Sequence, residues 1–349
     1  MDVALFDFYL PTGQIAQQPV AERDAARLLV LSRASGAIIA HTTVQALPEF
    51  LGQGDLLVVN NTKVFPARLL GHRDPTGGAV ECLLVRRLEG DQWEALMHPG
   101  QKLHPGARVR FTGVASTLTA EVLAQHFHGR RTIRLWNDEG EDVDRIVDAI
   151  GHMPLPPYIH RPDDPHDRER YQTVYARTRG SIAAPTAGLH LSTILLERLA
   201  SAGVARVEVT LHVGYGTFKP VRAERVEDHQ VDPEAFDVPA PSATAINSAL
   251  DEGRRVVAVG TTTTRALETS GLSGAGRVVA GPATSELFIH PGHHFGIVGG
   301  LLTNFHLPKS SLLMLVCAFA GREAVLEAYR EAVARGYRFY SYGDAMLIL

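Results

Sequence analysis

Residues Thr210-Leu211-His212-Val213-Gly214-Tyr215-Gly216-Thr217-Phe218 gather an imidazole, two glycines and three hydroxyls at the end of a Val-rich run at 204–209 that alternates apolar and polar residues and reads as a β-strand. An imidazole there can take up or release a proton near neutral pH, and the glycines let the backbone turn sharply and approach a ligand. A tight loop around a hydrogen-bonded structural histidine accounts for the same residues, so this segment alone leaves both readings open.

Other strand-like runs end in polar clusters of the same kind. Asn60-Asn61-Thr62-Lys63 follows Leu56-Leu57-Val58-Val59, Thr303-Asn304-Phe305-His306 follows Leu301-Leu302, and Ala183-Ala184-Pro185-Thr186-Ala187-Gly188-Leu189-His190 is a small-residue loop leading into a helix. Gly260-Thr261-Thr262-Thr263-Thr264-Arg265 opens a helix, whose free N–H groups favour an anionic group such as a carboxylate. Ligands of open α/β sheets bind at such carboxyl strand ends, which predicts a pocket rich in hydroxyls, amides and imidazoles. Metal chemistry is disfavoured. His190, His212, His229 and His306 lack metal-ligand spacing, and the two cysteines, Cys82 and Cys317, are far apart. No G-x-G-x-x-G joins a strand to a helix, and G-x-S-x-G is missing.

The elements that must position these residues come in two textures. Residues 67–136 form six short strand-like runs separated by Gly, Pro or Asp turns, which predicts a small antiparallel barrel. After Gly151, helices and strands alternate. Ser192 caps a helix that Gly203 stops, Ser242 caps a second ending near Gly253, 254–259 is a strand, and Ser310 or Ser311 opens an apolar helix broken by Gly321. The strand at 55–63 has the α/β texture. The fold class expected is therefore α/β, a mostly parallel or mixed sheet with flanking helices, plus an inserted antiparallel β-barrel. The catalytic domain is discontinuous, 1–63 and 151–349, with 64–150 inserted, and the Pro-rich stretch at 153–158 is the return connection.

At 349 residues with 21% charged positions, the chain has the make-up of a globular protein large enough for two domains. Its longest apolar runs fall short of a membrane span, the first residues lack a basic segment, and cysteine is scarce, so a cytoplasmic location is expected. Net charge is −4, but residues 64–136 hold ten Lys/Arg against six Asp/Glu, a balance of +4 that leaves −8 elsewhere and points to an anionic partner.

Taken together, the motifs resemble those of the S-adenosylmethionine:tRNA ribosyltransferase-isomerases of queuosine biosynthesis. The segment at 54–69, Pro154-Leu155-Pro156-Pro157-Tyr158-Ile159, the stretch at 167–175, the loop at 183–190, the segment at 210–218, Gly260-Thr261-Thr262 with Arg265, the stretch at 303–310 and Ser341-Tyr342-Gly343-Asp344-Ala345-Met346 match in family order. Lys63 stands where the family has Arg, Leu191 where an aromatic is common, and Gln230-Val231-Asp232 where members carry a Met-His pair.

The resemblance implies transfer and isomerisation of the ribosyl part of S-adenosylmethionine onto the 7-aminomethyl-7-deazaguanine at the tRNA wobble position. The products are epoxyqueuosine-tRNA, adenine and methionine, with no metal or prosthetic group. Such a reaction needs a base for the proton beside the sulfonium, and His212 leads, with His190 and His306 as alternates and Asp228 as a partner or acid. S-adenosylmethionine is expected at Thr186, Gly188, Gly214, Gly216, Thr217, Phe218, Thr261, Thr262 and Arg265. Asn60, Asn61, Thr303 and Asn304 suit ribose or the base edge, and Arg68, Arg130 and Arg134 suit tRNA. The partner is the tRNA anticodon loop, and the protein is expected to act as a monomer.

Overall fold

The computed structural model describes residues 1–114, 116–214, 216 and 221–349. Its larger sheet has nine strands in the order Gly281–Ser285, Glu234–Val238, Ala205–Leu211, Leu56–Asn60, Val256–Val259, Gly300–Asn304, Ala345–Ile348, Arg27–Leu31, Ile38–Thr43. The four strands from Ala205–Leu211 to Gly300–Asn304 are parallel. Their flanking neighbours are antiparallel, so the sheet is mixed.

The central strands read as unbroken apolar runs because both faces are covered. Side-chain alternation divides them between two cores. Leu56, Val58, Val256, Ala258 and Leu301 pack with helices Ala240–Asp251, Thr261–Ser273, Ser311–Ala320 and Arg322–Ala334. Leu57, Val59, Val257, Val259 and Leu302 pack on the other face with helix Thr193–Ser201.

Local signals act largely as expected. Ser192 Oγ accepts from Leu195 N at 3.0 Å, Ser310 Oγ accepts from Leu313 N at 3.2 Å, and Gly321 ends its helix at φ 87°. Ser242 differs. Helix Ala240–Asp251 starts before it, with Pro239 at the cap position and Pro241 in the first turn, and Ser242 Oγ donates to Glu208 O at 2.6 Å, tying the helix to the sheet.

Strands Arg68–Asp74, Ala79–Arg87, Gln92–His98, Arg108–Thr112, Thr117–Gln125 and Arg130–Trp136 close into an antiparallel barrel. Its core contains Cys82, Trp93, Phe111 and Ile133, and takes in Ile146 and Val147 of helix Val143–Ile150. Strand Arg130–Trp136 alternates as its sequence implies: Arg130 and Arg134 face outward, while Arg131 is buried and donates to the carbonyls of Leu103, Arg130 and Gly100. The chain leaves and rejoins the sheet along adjacent paths, since Arg68 and His152 exchange backbone hydrogen bonds of 3.2 and 2.8 Å. A Cβ on Gly151 would lie 2.0 Å from Pro66 O, which explains why only glycine fits that closure.

Candidate active site

Because the central strands are parallel, His212, Gly260 and Asn304 emerge at one edge of the sheet. His212 follows strand Ala205–Leu211 directly. Its backbone N donates to Ala235 O at 3.2 Å, and its Nδ1 pairs with Thr62 Oγ1 at 2.8 Å. Burial pushes its pKa below the usual imidazole value, so the ring is neutral at physiological pH and able to accept a proton. Gly180 lies against the ring, and a Cβ there would sit 2.7 Å from Cε1.

His212 stands on the wall of a cleft of about 610 Å³ between the sheet edge and the barrel. The sheet side supplies Gly180, Gly214, Gly216, Asp232 and Glu234, and the barrel side supplies Trp93, Glu94, Arg87 and Arg130. Phe65 lies between them, with the Arg179 guanidinium 4.4 Å above its ring. Val213 faces both this cleft and a deeper pocket lined by Thr186, Thr261, Thr262, Thr303, Asn304 and His306.

The other two histidines belong to that deeper region. His306 Nε2 bonds Thr303 Oγ1 at 2.9 Å, and His190 Nε2 lies 3.0 Å from Asn304 Nδ2. Burial lowers their pKa values to about 3 and about 4, so both rings are neutral. Thr262 Oγ1 and Asn304 Oδ1 are buried and have no hydrogen-bond partner among the described residues.

Arg265 does not share that pocket, although it lies one turn into helix Thr261–Ser273. It points into a neighbouring charged pocket with Gly216, Asp232 and Glu234. There its Nη1 pairs with Glu234 Oε2 at 2.5 Å, its Nε donates to Leu287 O at 3.1 Å, and its Nη2 has no partner among the described residues. Glu234 escaped the sequence reading. The period-two pattern of Glu234-Ala235-Phe236-Asp237-Val238, with its buried Glu, Phe and Val on one face, is the signal that could have found it.

Several expected residues are placed otherwise. Asn60 uses its amide on the backbone of Leu211 and Thr62, and Asn61 bonds Glu208 and Thr210, so both fasten strands together and neither lines the pockets described above. A Cβ on Gly188 would fall 2.2 Å from the Tyr175 hydroxyl, which makes its role one of packing. Asp228 is exposed at the end of the 3-10 turn Val226–Asp228, outside these pockets, and His229 packs its ring on Phe288. Gly214 N donates to Glu234 Oε1 at 3.1 Å. Thr217 and Phe218 lie outside the described residues.

The tRNA candidates are ion-paired: Arg68 bidentate to Glu81 at 2.8 and 2.9 Å, Arg134 to Asp91 at 2.6 Å, and Arg130 to both Glu94 and Asp232 at 3.2 and 3.0 Å. Among the described residues, no three His, Cys, Asp or Glu side chains gather to hold a metal ion, and no helix is long and apolar enough to cross a membrane.

A family model described as queuosine biosynthesis protein matches residues 3–348. An S-adenosylmethionine:tRNA ribosyltransferase-isomerase of Heliobacterium modesticaldum is 50% identical over 349 residues, covering 100% of both chains. The protein of the same name from Aquifex aeolicus is 48% identical, again over 100% of both. The crystal structure of an S-adenosylmethionine tRNA ribosyltransferase from Thermotoga maritima is similar at 37% identity, covering 99% of this chain and 100% of that one, with a TM-score of 0.54.

Proposed function

The chain belongs to the queuosine biosynthesis protein family, and from that premise we infer that its reaction is transfer and isomerisation of the ribosyl part of S-adenosylmethionine onto tRNA. The acceptor is the 7-aminomethyl-7-deazaguanine at the wobble position, and the products are epoxyqueuosine-tRNA, adenine and methionine. S-adenosylmethionine is consumed as a co-substrate.

One observation carries the mechanistic reading. His212, a neutral imidazole, lines the cleft beside Val213, the residue that faces both the cleft and the deep pocket. The positive sulfur acidifies the adjacent C–H, so a base of modest strength suffices to remove that proton. His212 is the base, Thr62 orients its ring, and Gly180, having no side chain, lets the backbone pack closely against it. The buried His190 and His306 shape the pocket. Arg265 Nη2, without a partner among the described residues, suits the methionine carboxylate through a charge-assisted bond, and the acids beside it suit the ammonium group.

The wobble base enters the cleft from the barrel side, where Phe65 and Trp93 offer aromatic faces. Bases of a single-stranded anticodon loop can be splayed into such a site while its phosphates meet Arg130 and Arg134. The separate barrel core supports a division into 1–63 with 151–349 and an inserted 64–150. Both cleft walls come from one chain, so a monomer is the working unit, in the cytoplasm where its tRNA substrate is modified.

Incubating the protein with S-adenosylmethionine and precursor tRNA tests the reading: free adenine and methionine should appear with modified tRNA. Release of S-adenosylhomocysteine instead would make it a methyltransferase and overturn the assignment.

A further inference from the structure

The deep pocket and the charged pocket both touch Leu312, yet their chemistry differs. Arg265, Glu234 and Asp232 line the charged one. Among the described residues the deep one is lined by alanines, threonines, tyrosines and Asn304, with His306 its single imidazole and no Asp, Glu, Lys or Arg. An amino-acid zwitterion placed there would lack counter-charges, whereas a neutral heterocycle would not need them.

The hydrogen-bonding pattern of this neutral pocket is fixed by its surroundings. Asn304 Nδ2 donates to Tyr340 O at 3.1 Å. A carbonyl can only accept, so the amide cannot be reversed, and Oδ1 must be the acceptor left without a partner. The second Nδ2 hydrogen meets His190 Nε2 at 3.0 Å, which makes that nitrogen the acceptor and places the ring hydrogen on Nδ1. Tyr340 holds its carbonyl in place from an unusual backbone conformation, φ 75°, which L-residues with bulky side chains rarely adopt. Its N–H is held by Phe305 O at 3.0 Å. Backbone strain of this kind persists where the surroundings over-determine it, typically at ligand sites. Sharing the pocket with this acceptor are donors: the first turn of helix Thr261–Ser273, whose leading N–H groups have no partner within the helix, and the Thr262 hydroxyl, which has no partner among the described residues.

We propose that this pocket is the subsite for the adenine end of S-adenosylmethionine, with Asn304 Oδ1 accepting from the exocyclic 6-amino group and the start of helix Thr261–Ser273 donating to a ring nitrogen. The inference rests on the reaction assigned above and adds the orientation of the co-substrate: adenine against Asn304, methionine against Arg265. His190 and Tyr340 are positioning residues that lock the Asn304 amide. A purine with a 6-oxo group presents an acceptor to an acceptor and is refused, so the subsite separates adenine from hypoxanthine.

Equilibrium dialysis of the full chain with radiolabelled adenine tests this without requiring any variant to fold. Adenine should bind, purine lacking the amino group should bind about tenfold more weakly, and hypoxanthine should not compete. Asn304→Leu, its fold checked by circular dichroism, should lose about tenfold in adenine affinity while methionine binding is retained. Equal competition by hypoxanthine, or unchanged adenine binding by Asn304→Leu, would overturn the assignment. A protein that releases adenine in turnover yet fails these tests keeps its reaction and loses only this subsite. A protein that never releases adenine loses the reaction as well.

Discussion

The barrel wall and the sheet edge face each other across one cleft, but they handle charge in opposite ways. On the barrel, guanidinium groups are abundant and nearly all engaged: Arg68 with Glu81, Arg86 with Glu94, Arg87 with Asp144, Arg108 with Glu121, Arg110 with Asp74, Arg134 with Asp91. At the sheet edge, among the described residues, the deep pocket has no ion pair, and Arg265 in the next pocket has one guanidinium nitrogen without a partner. A local excess of +4 in sequence therefore measures how much charge is present, not how much is free. Exposed pairs contribute only about 0–1 kcal/mol, so phosphates can displace them. A buried polar atom without a partner costs about 1–3 kcal/mol and marks the wall where a specific ligand is read.

The contrast can be broken most decisively at His212. His212→Ala should lower adenine release by about 10²–10⁴-fold with fold and tRNA affinity retained. A loss smaller than tenfold would make His212 a structural residue of the loop. The acid limb of kcat/KM belongs to the same test. Burial lowers the His212 pKa, so the basic form survives as pH falls to 6.5, and activity should be lost only at lower pH. A midpoint above 6.5 would assign that limb to another group.

Arg265 sharpens the charged side of the comparison. Arg265→Ala removes the buried guanidinium that pairs with Glu234 Oε2 and should lower stability by up to about 3–5 kcal/mol in denaturant unfolding. Arg265→Lys preserves a cation for Glu234 but removes the planar fork, so the KM for S-adenosylmethionine should rise about tenfold with stability little changed. An unaltered KM would detach Arg265 from the co-substrate.

The neutral side has its own signature. His190 and His306 titrate at about 4 and about 3 in the folded chain, against about 6.5 when unfolded. The unfolded state thus binds more protons below pH 6.5. Their contribution is fully present above that pH and is lost as pH falls towards 4 and then 3, on the order of several kcal/mol in all. Urea midpoints should begin to drop between pH 6.5 and 5.5, before ordinary carboxylates titrate. A flat profile through that window would mean these rings are solvated.

The smallest effect is expected at the barrel surface. Arg130→Ala with Arg134→Ala should weaken tRNA binding modestly and lower its salt dependence by about one counterion per lost phosphate contact, while KM for S-adenosylmethionine stays within twofold. Equal tRNA affinity at two salt concentrations would move the footprint to the return segment at 161–179.

Much of this protein was legible from local order. Six short strands with turns foretold the barrel, Ser192 and Gly321 bounded their helices, and the placing of Arg130 and Arg134 on one face and Arg131 on the other followed from a period of two. The polar clusters at strand ends pointed to one edge of the sheet, and the order of the motifs carried the family. These are properties of neighbours in sequence, set by backbone stereochemistry and side-chain alternation. Partner choice is set by tertiary structure, because a hydrogen bond or ion pair is satisfied by whatever the fold brings near. Only the fold could show that Asn60 and Asn61 fasten strands, that Glu234 claims Arg265 from 31 residues away, and that Tyr340 fixes the Asn304 amide across a separation of 36. Burial, which holds His190 and His306 neutral and leaves His212 on the wall of the cleft, is likewise decided by packing from every side at once.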